Sequence, residues 1–243
     1  MTAYRYLRKA SAYSDELESA SNLNSAFKTE FELVKFFETT AVSSLTLDST
    51  GIVTEFSVSS GIADIVFYEL RKDWERSIPL SGISNKWAYT LKALPYRKSF
   101  STSEFTEITG VTRRTALNVL QNFSEKGWCD YSKPNEAWVK IRQPTPIANK
   151  FYAIEAKLKD WKRALYQATR YKLYAQESWV LMDHDSINPA IDNIDEFKLN
   201  NIGLCSVSST GSIEVHHVPT ASKTISPQYY WEANSELAKK LLG

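Results

Sequence analysis

The sequence predicts an α/β protein whose sheet-forming core is interrupted by a basic, mostly helical insertion. Three observations predict it. Residues 52–58 and 62–68 are β-rich runs joined at Ser59, Ser60 and Gly61, a hairpin pattern. Residues 151–154 and 179–182 are apolar strand-like runs on either side of an amphipathic helical segment, the pattern of a crossover between parallel strands. Between these two regions, helical periodicity prevails and charge accumulates. Residues 1–70 and 150–243 are therefore read as the core and residues 71–149 as the insertion.

The 243-residue chain is 43% hydrophobic and 13% aromatic, enough for a real core. Its net charge of +1 is uninformative until its distribution is seen. Cys129 and Cys205 lie far apart and fit no metal-ligand spacing. The absence of a signal-peptide pattern and of a long apolar run predicts a reducing, cytoplasmic setting and no membrane contact.

Taken in order, residues 1–24 are a basic, Tyr-rich piece, read as a packed segment rather than an arm on nucleic acid. A helix is expected from about residue 25 to 39, where Phe27, Phe31, Val34 and Phe37 recur at helical spacing. Glu30 falls within that apolar arc and Glu32 opposite it. A short strand is expected at 45–47, then the hairpin. Asp64 sits inside the second hairpin run among Ile62, Ile65, Val66 and Phe67, where an acid is expensive. It can satisfy the nearby turn, or serve a site. Glu55 on the first run is a reserve acid.

The insertion reads as helix, helix, turn, helix, ribbon. Residues 84–94 carry Trp87, Leu91 and Leu94 on one stripe. Ser101 and Glu104 form a capping-box pattern that opens a second helix ending at Gly110. Thr112 caps a third, over 113–126, with Ala116, Leu117, Leu120 and Phe123 inward and Arg113, Arg114, Asn118 and Gln121 outward. Residues 129–131 and 137–141 form a ribbon about the turn at 132–135, with Lys133 at its tip and Lys140 and Arg142 on or past its second strand. From residue 71 to 150 there are 14 Lys and Arg against 7 Asp and Glu. Such concentrated positive charge fits nucleic acid, although a solvated basic face is also common.

The chain then returns to the core. Residues 151–154 form a buried strand, and Glu155 and Lys157, two apart, project from its end to one face. They are either a strand end entering water or a site that uses both charges. Asp160 caps a helix to about residue 175, in which Gln167 and Tyr171 share a face. Six basic residues between 157 and 172 make this helix attractive to phosphate. Residues 183–201 read as loop and short helix, 202–208 and 212–218 as a last hairpin. His216 and His217 face opposite sides and are read as structural. A final helix begins after Ser226.

A hairpin bearing Asp64, a strand ending Glu155-Ala156-Lys157 and a helix with Gln167 and Tyr171 resemble the PD-(D/E)XK nuclease superfamily. Ala63 replaces the proline of the motif's name, and 91 positions separate Asp64 from Glu155, where a short connection is usual. The segment between them resembles a winged helix-turn-helix domain. The resemblance implies a restriction-endonuclease-like core, a central mixed sheet flanked by helices, and Mg²⁺-dependent phosphodiester hydrolysis with Mn²⁺ as substitute. Asp64 and Glu155, with Glu30, would bind metal; Lys157 would act on the attacking water; Gln167 and Tyr171 would support the site. Arg113, Arg114, Asn118, Gln121, Lys133 and Lys140 would contact double-stranded DNA. A non-cutting or partner-dependent protein on the same scaffold is the alternative. A homodimer or a partner protein is compatible with either, and the sequence requires neither.

Overall fold

The computed structural model describes residues 27–44, 50–76, 80 and 82–242. The expected strand at 45–47 and the N-terminal Tyr-rich piece lie outside the described residues. Helix α1 (Glu30–Ser44) is followed by the hairpin β1 (Thr50–Val58) and β2 (Gly61–Leu70). Next come α2 (Asn85–Ala93), β3 (Ser99–Phe100), α3 (Thr102–Thr109), α4 (Arg113–Glu125), β4 (Cys129–Ser132) and β5 (Ala137–Lys140). The chain continues through β6 (Ala148–Lys157), α5 (Trp161–Tyr171), β7 (Glu177–Asp183), α6 (Asn188–Ile191) and α7 (Ile194–Asn200). It ends with β8 (Gly203–Val207), β9 (Ile213–His217) and α8 (Pro227–Leu242). Among the described residues no helix is long and apolar enough to cross a membrane.

The chain divides into two compact units. One comprises Met1–Lys72 and Ala148–Ser226, the other Asp73–Ile147 and Pro227–Gly243. The first holds a six-stranded sheet in the order β1-β2-β6-β7-β8-β9. β6, β7 and β8 run parallel, while β1, β2 and β9 are antiparallel to their neighbours. The unit is thus α/β with a mixed sheet. On one face, Leu33 and Phe37 of α1 pack with Ile65, Phe67, Tyr152, Ile154 and Trp179. On the other, Ala164, Leu165 and Ala168 of α5 pack with Val180, Met182 and Leu204. The α5 crossover joins parallel β6 and β7, as the flanking apolar runs predict. Gly203 lies opposite Trp179, and a Cβ there would meet the indole at 2.2 Å, so only glycine fits.

The first helix departs from expectation. Phe27 precedes it, and its buried stripe is Leu33, Phe37 and Thr40. Phe31 is 66% exposed, with the Lys35 ammonium over its ring. Glu30 heads the buried stripe one turn back, which aims it at the sheet end.

In the second unit α2, α3 and α4 enclose Leu91, Phe105, Leu120 and Phe123, with β4 and β5 contributing Cys129 and Trp138. Ser101 and Glu104 form the expected capping box, and Gly110 ends α3 at φ 69°, a left-handed cap that suits glycine. The Thr112 side chain accepts from the Thr115 amide at the start of α4. A three-stranded sheet, β3-β5-β4, completes the unit. The sequence reading placed α8 with the core. It belongs instead to this second unit: Asn85 donates to Glu236 at 2.8 Å, Ser235 donates to the Ile83 carbonyl at 3.4 Å, and Trp231 joins the helical core.

Candidate active site

β2 and β6 pair up to Ile65 and Ile154, then part. One further step in that register sets Asp64 opposite Glu155, on the same face of the sheet. Asp64 bridges the parting strands: its Oδ2 accepts from the Ala156 amide at 2.7 Å. On its other side, the β1 register that pairs Thr54 with Ile65 and Phe56 with Ala63 sets Glu55 opposite Asp64. Glu55 is exposed and held at φ 49°, a left-handed conformation that a non-glycine residue adopts only under constraint.

Lys157 organises the carboxylates. Its Nζ lies 2.9 Å from Glu155 Oε1 and 3.0 Å from Glu30 Oε2, and donates to the Ala156 carbonyl at 3.0 Å. An ammonium has three protons, and these contacts use them all. Tyr171 holds the other Glu155 oxygen, donating to Oε2 at 2.5 Å, with the Ile62 carbonyl 2.6 Å away. A phenol has one proton. When Tyr171 donates it to Ile62, the contact with Glu155 persists only if Glu155 is protonated and becomes the donor.

The electrostatics agree. Burial, then the neighbouring Asp64 charge, pushes the Glu155 carboxyl above its ordinary range, against the pull of Lys157 and Tyr171. Burial also raises Asp64, with Glu30 and Glu55 adding repulsion, while the Ala156 amide and Lys157 oppose it. Burial by itself would lower Lys157, but Glu155, Glu30 and Asp64 together carry it above its usual value. Burial and the Glu155 charge raise the Tyr171 phenol strongly, so it remains a proton donor. Four acidic side chains and one ammonium leave this end of the sheet with excess negative charge.

Gln167 lies on the same helix, its Oε1 buried and, among the described residues, without a hydrogen-bond partner. The hydrogen bonds and ion pairs thus join Glu30, Asp64, Glu155, Lys157 and Tyr171, and Gln167 has no part in them. Among the described residues no three His, Cys, Asp or Glu side chains converge as a metal cluster; Lys157 stands between Glu155 and Glu30. Sequence reasoning missed two backbone groups that fix the site, the Ala156 amide and the Ile62 carbonyl. Side-chain patterns carry no signal for them.

In the second unit, Arg113, Arg114, Asn118 and Gln121 are exposed on α4, and Lys133 is exposed between β4 and β5. Lys140 corrects the expectation placed on it. It is fully buried and donates to the Leu91 and Lys92 carbonyls at 3.1 Å each, at the end of α2. Burial, with help from Lys92, lowers its pKa to about 8. It cannot reach a phosphate. Arg142 is exposed, with its guanidinium 5.4 Å from the Trp128 ring centroid. His216 Nε2 lies 2.9 Å from the Ser206 hydroxyl, and His217 Nε2 is buried without a partner among the described residues. Cys129 and Cys205 are buried free thiols.

No family model, curated protein or solved structure matches the chain at a significant level.

Proposed function

We propose that the chain is a metal-dependent nuclease of the PD-(D/E)XK type that hydrolyses phosphodiester bonds in double-stranded DNA. The observation that carries this reading is the convergence of Asp64, Glu155 and Lys157 where β2 and β6 part, with Glu30 and Tyr171 in contact. The donor set suits Mg²⁺ or Mn²⁺: Asp64 and Glu155 offer hard carboxylate oxygens, Glu30 is a third, and the excess negative charge favours a divalent cation. Bound there, the ion would make a water more acidic and stabilise charge on the phosphate. Lys157 offsets negative charge and would orient the attacking water on giving up one of its three present contacts, and Tyr171 fixes Glu155.

The second unit supplies DNA contact in this reading. Helices α3 and α4, joined through Gly110, followed by the β4–β5 hairpin, have the order of an inserted winged helix-turn-helix. The exposed α4 residues Arg113, Arg114, Asn118 and Gln121 then face base edges, and Lys133 faces phosphate.

Incubation of the protein with supercoiled plasmid and Mg²⁺ or Mn²⁺ tests the reading. Wild type nicks or linearises the plasmid; Asp64→Ala and Lys157→Ala do not, and EDTA blocks the reaction. Cleavage that persists in both variants overturns the site. The alternative, a subunit that cuts only with a partner, draws on the engagement of both Glu155 oxygens by Lys157 and Tyr171. DNA binding without cleavage would favour it.

A further inference from the structure

We propose that the sheet-bearing unit carries a second ligand site, a cleft on α5 that takes an unpaired nucleobase with its phosphate. The proposal rests on the nuclease reading only in supposing that nucleic acid is at hand. The cleft has a volume of about 420 Å³, and Trp161, Lys162, Tyr166, Asn193, Glu196 and Asn200 are among its lining residues. That volume is within the usual range for small-ligand clefts.

Its walls differ in chemistry. The α5 wall is aromatic and cationic. Trp161 is seated against Phe197, ring centroids 5.9 Å apart, with the Lys162 ammonium 5.5 Å from its ring. Tyr166, one turn after Lys162, is 66% exposed. Lys162 is the cation among the residues that line it. The opposite wall presents acceptors. The Asn193 amide nitrogen donates to the Pro189 carbonyl at 2.9 Å, and that of Asn200 to the Glu196 carbonyl at 2.8 Å. Among the described residues both amide oxygens are left uncommitted, and the Glu196 carboxylate adds a third acceptor.

A nucleotide matches each part. Its base stacks on an aromatic side chain, which tolerates any sequence. Its phosphate is drawn to the Lys162 ammonium. The exocyclic amino groups of adenine, cytosine and guanine donate to acceptors such as these, whereas thymine lacks one. A bare anion would meet the Glu196 charge. A purely apolar ligand would leave the acceptors unpaired.

The test uses the full chain in EDTA, so that cutting cannot intervene. Binding of labelled oligo-dC, oligo-dT and a blunt duplex is compared for wild type, Tyr166→Ala, Tyr166→Phe and Glu196→Ala. Tyr166→Ala is expected to weaken oligo-dC binding roughly five- to hundredfold, the usual effect of losing one stacking platform. Tyr166→Phe keeps the affinity, and duplex binding is unchanged in both. Wild type prefers oligo-dC to oligo-dT, and Glu196→Ala narrows that preference. Cytidine monophosphate that binds where oligo-dC does not would assign the site to a free nucleotide. Tyr166→Ala binding oligo-dC as wild type does, or losing duplex binding equally, overturns the proposal. So does wild type that binds neither strand nor nucleotide, which leaves the cleft to a protein partner. Plasmid cleavage is scored separately, so failure of the nuclease reading and failure of this site are told apart.

Discussion

Asp64 of β2 accepts a hydrogen bond from the Ala156 amide of β6 at 2.7 Å, between the two charged residues of that strand end, Glu155 and Lys157. The bond survives replacement of the carboxylate by an amide of the same shape, because the amide oxygen also accepts. Burial raises the Asp64 pKa in the folded chain above its value of 3.8 in the unfolded one. Between those two values the folded state holds more protons, so stability is full below about pH 4 and falls as pH rises through the folded pKa. Asp64→Asn is therefore expected to melt higher than wild type at neutral pH without divalent metal. The gain disappears below about pH 4, where the wild-type carboxyl is protonated in both states. Thermal melts across pH read this directly. The same variant should lose at least about a hundredfold of any cleavage, since an amide cannot replace a carboxylate that binds metal.

Removal of Lys157 leaves the Glu155 carboxyl, 1% exposed, without its cation. Breaking one side of a buried pair costs about 3–5 kcal/mol. Lys157→Met should show a loss of that order in urea denaturation. Glu155→Gln introduced into the same protein should restore much of it, because no buried charge then lacks a partner. A double variant as unstable as Lys157→Met alone would mean that the ion pair is not the source of the loss.

Lys140 gives the second unit a pH dependence of opposite sign to that of Asp64. Its pKa is about 8 in the fold and 10.5 in the unfolded chain. Between those values the unfolded chain holds the proton and the folded chain does not, so stability rises with pH across that window. The difference in melting temperature between wild type and Lys140→Met should accordingly move in favour of wild type from about pH 8 to pH 10. Taking the difference cancels titration of groups shared by both proteins.

Arg113 and Arg114 are exposed in the first turn of α4, so their removal disturbs no packing. Arg113→Ala with Arg114→Ala should leave the melting temperature within about 1 °C of wild type. Duplex affinity should fall, and the dependence of log affinity on log salt should become shallower by roughly 0.9 for each phosphate that the variant no longer neutralises. An unchanged slope would place DNA elsewhere on the chain or exclude it as the partner of α4.

Much of the placement of the candidate site was legible because its residues obey simple periods. Glu155 and Lys157 are two apart on a strand, and Gln167 and Tyr171 four apart on a helix. Glu30 was singled out from its helical arc, although the arc's buried members are Leu33, Phe37 and Thr40 rather than Phe31. The period of two also held the clue for Lys140. It shares a strand face with Trp138, which is buried, but the charge drew attention away from the alternation. The docking of α8 was not legible. Its apolar positions, Trp231 and Leu237, would suit any apolar surface, and the choice rests on partners far away in sequence such as Asn85. Nor did any local pattern foretell Glu55 at φ 49°.

The assignment of Pro227–Gly243 to the unit formed by Asp73–Ile147 has a consequence during synthesis. The ribosome delivers the six strands of the large sheet before it makes α8. The smaller unit must meanwhile wait with the surface that receives Trp231 uncovered, although most of it emerged earlier. At ordinary elongation rates of about 5–20 residues per second, the intervening 148–226 stretch takes roughly 4–16 s to appear. In that interval the helical core offers an apolar surface to chaperones, and a translational pause before residue 227 would prolong it.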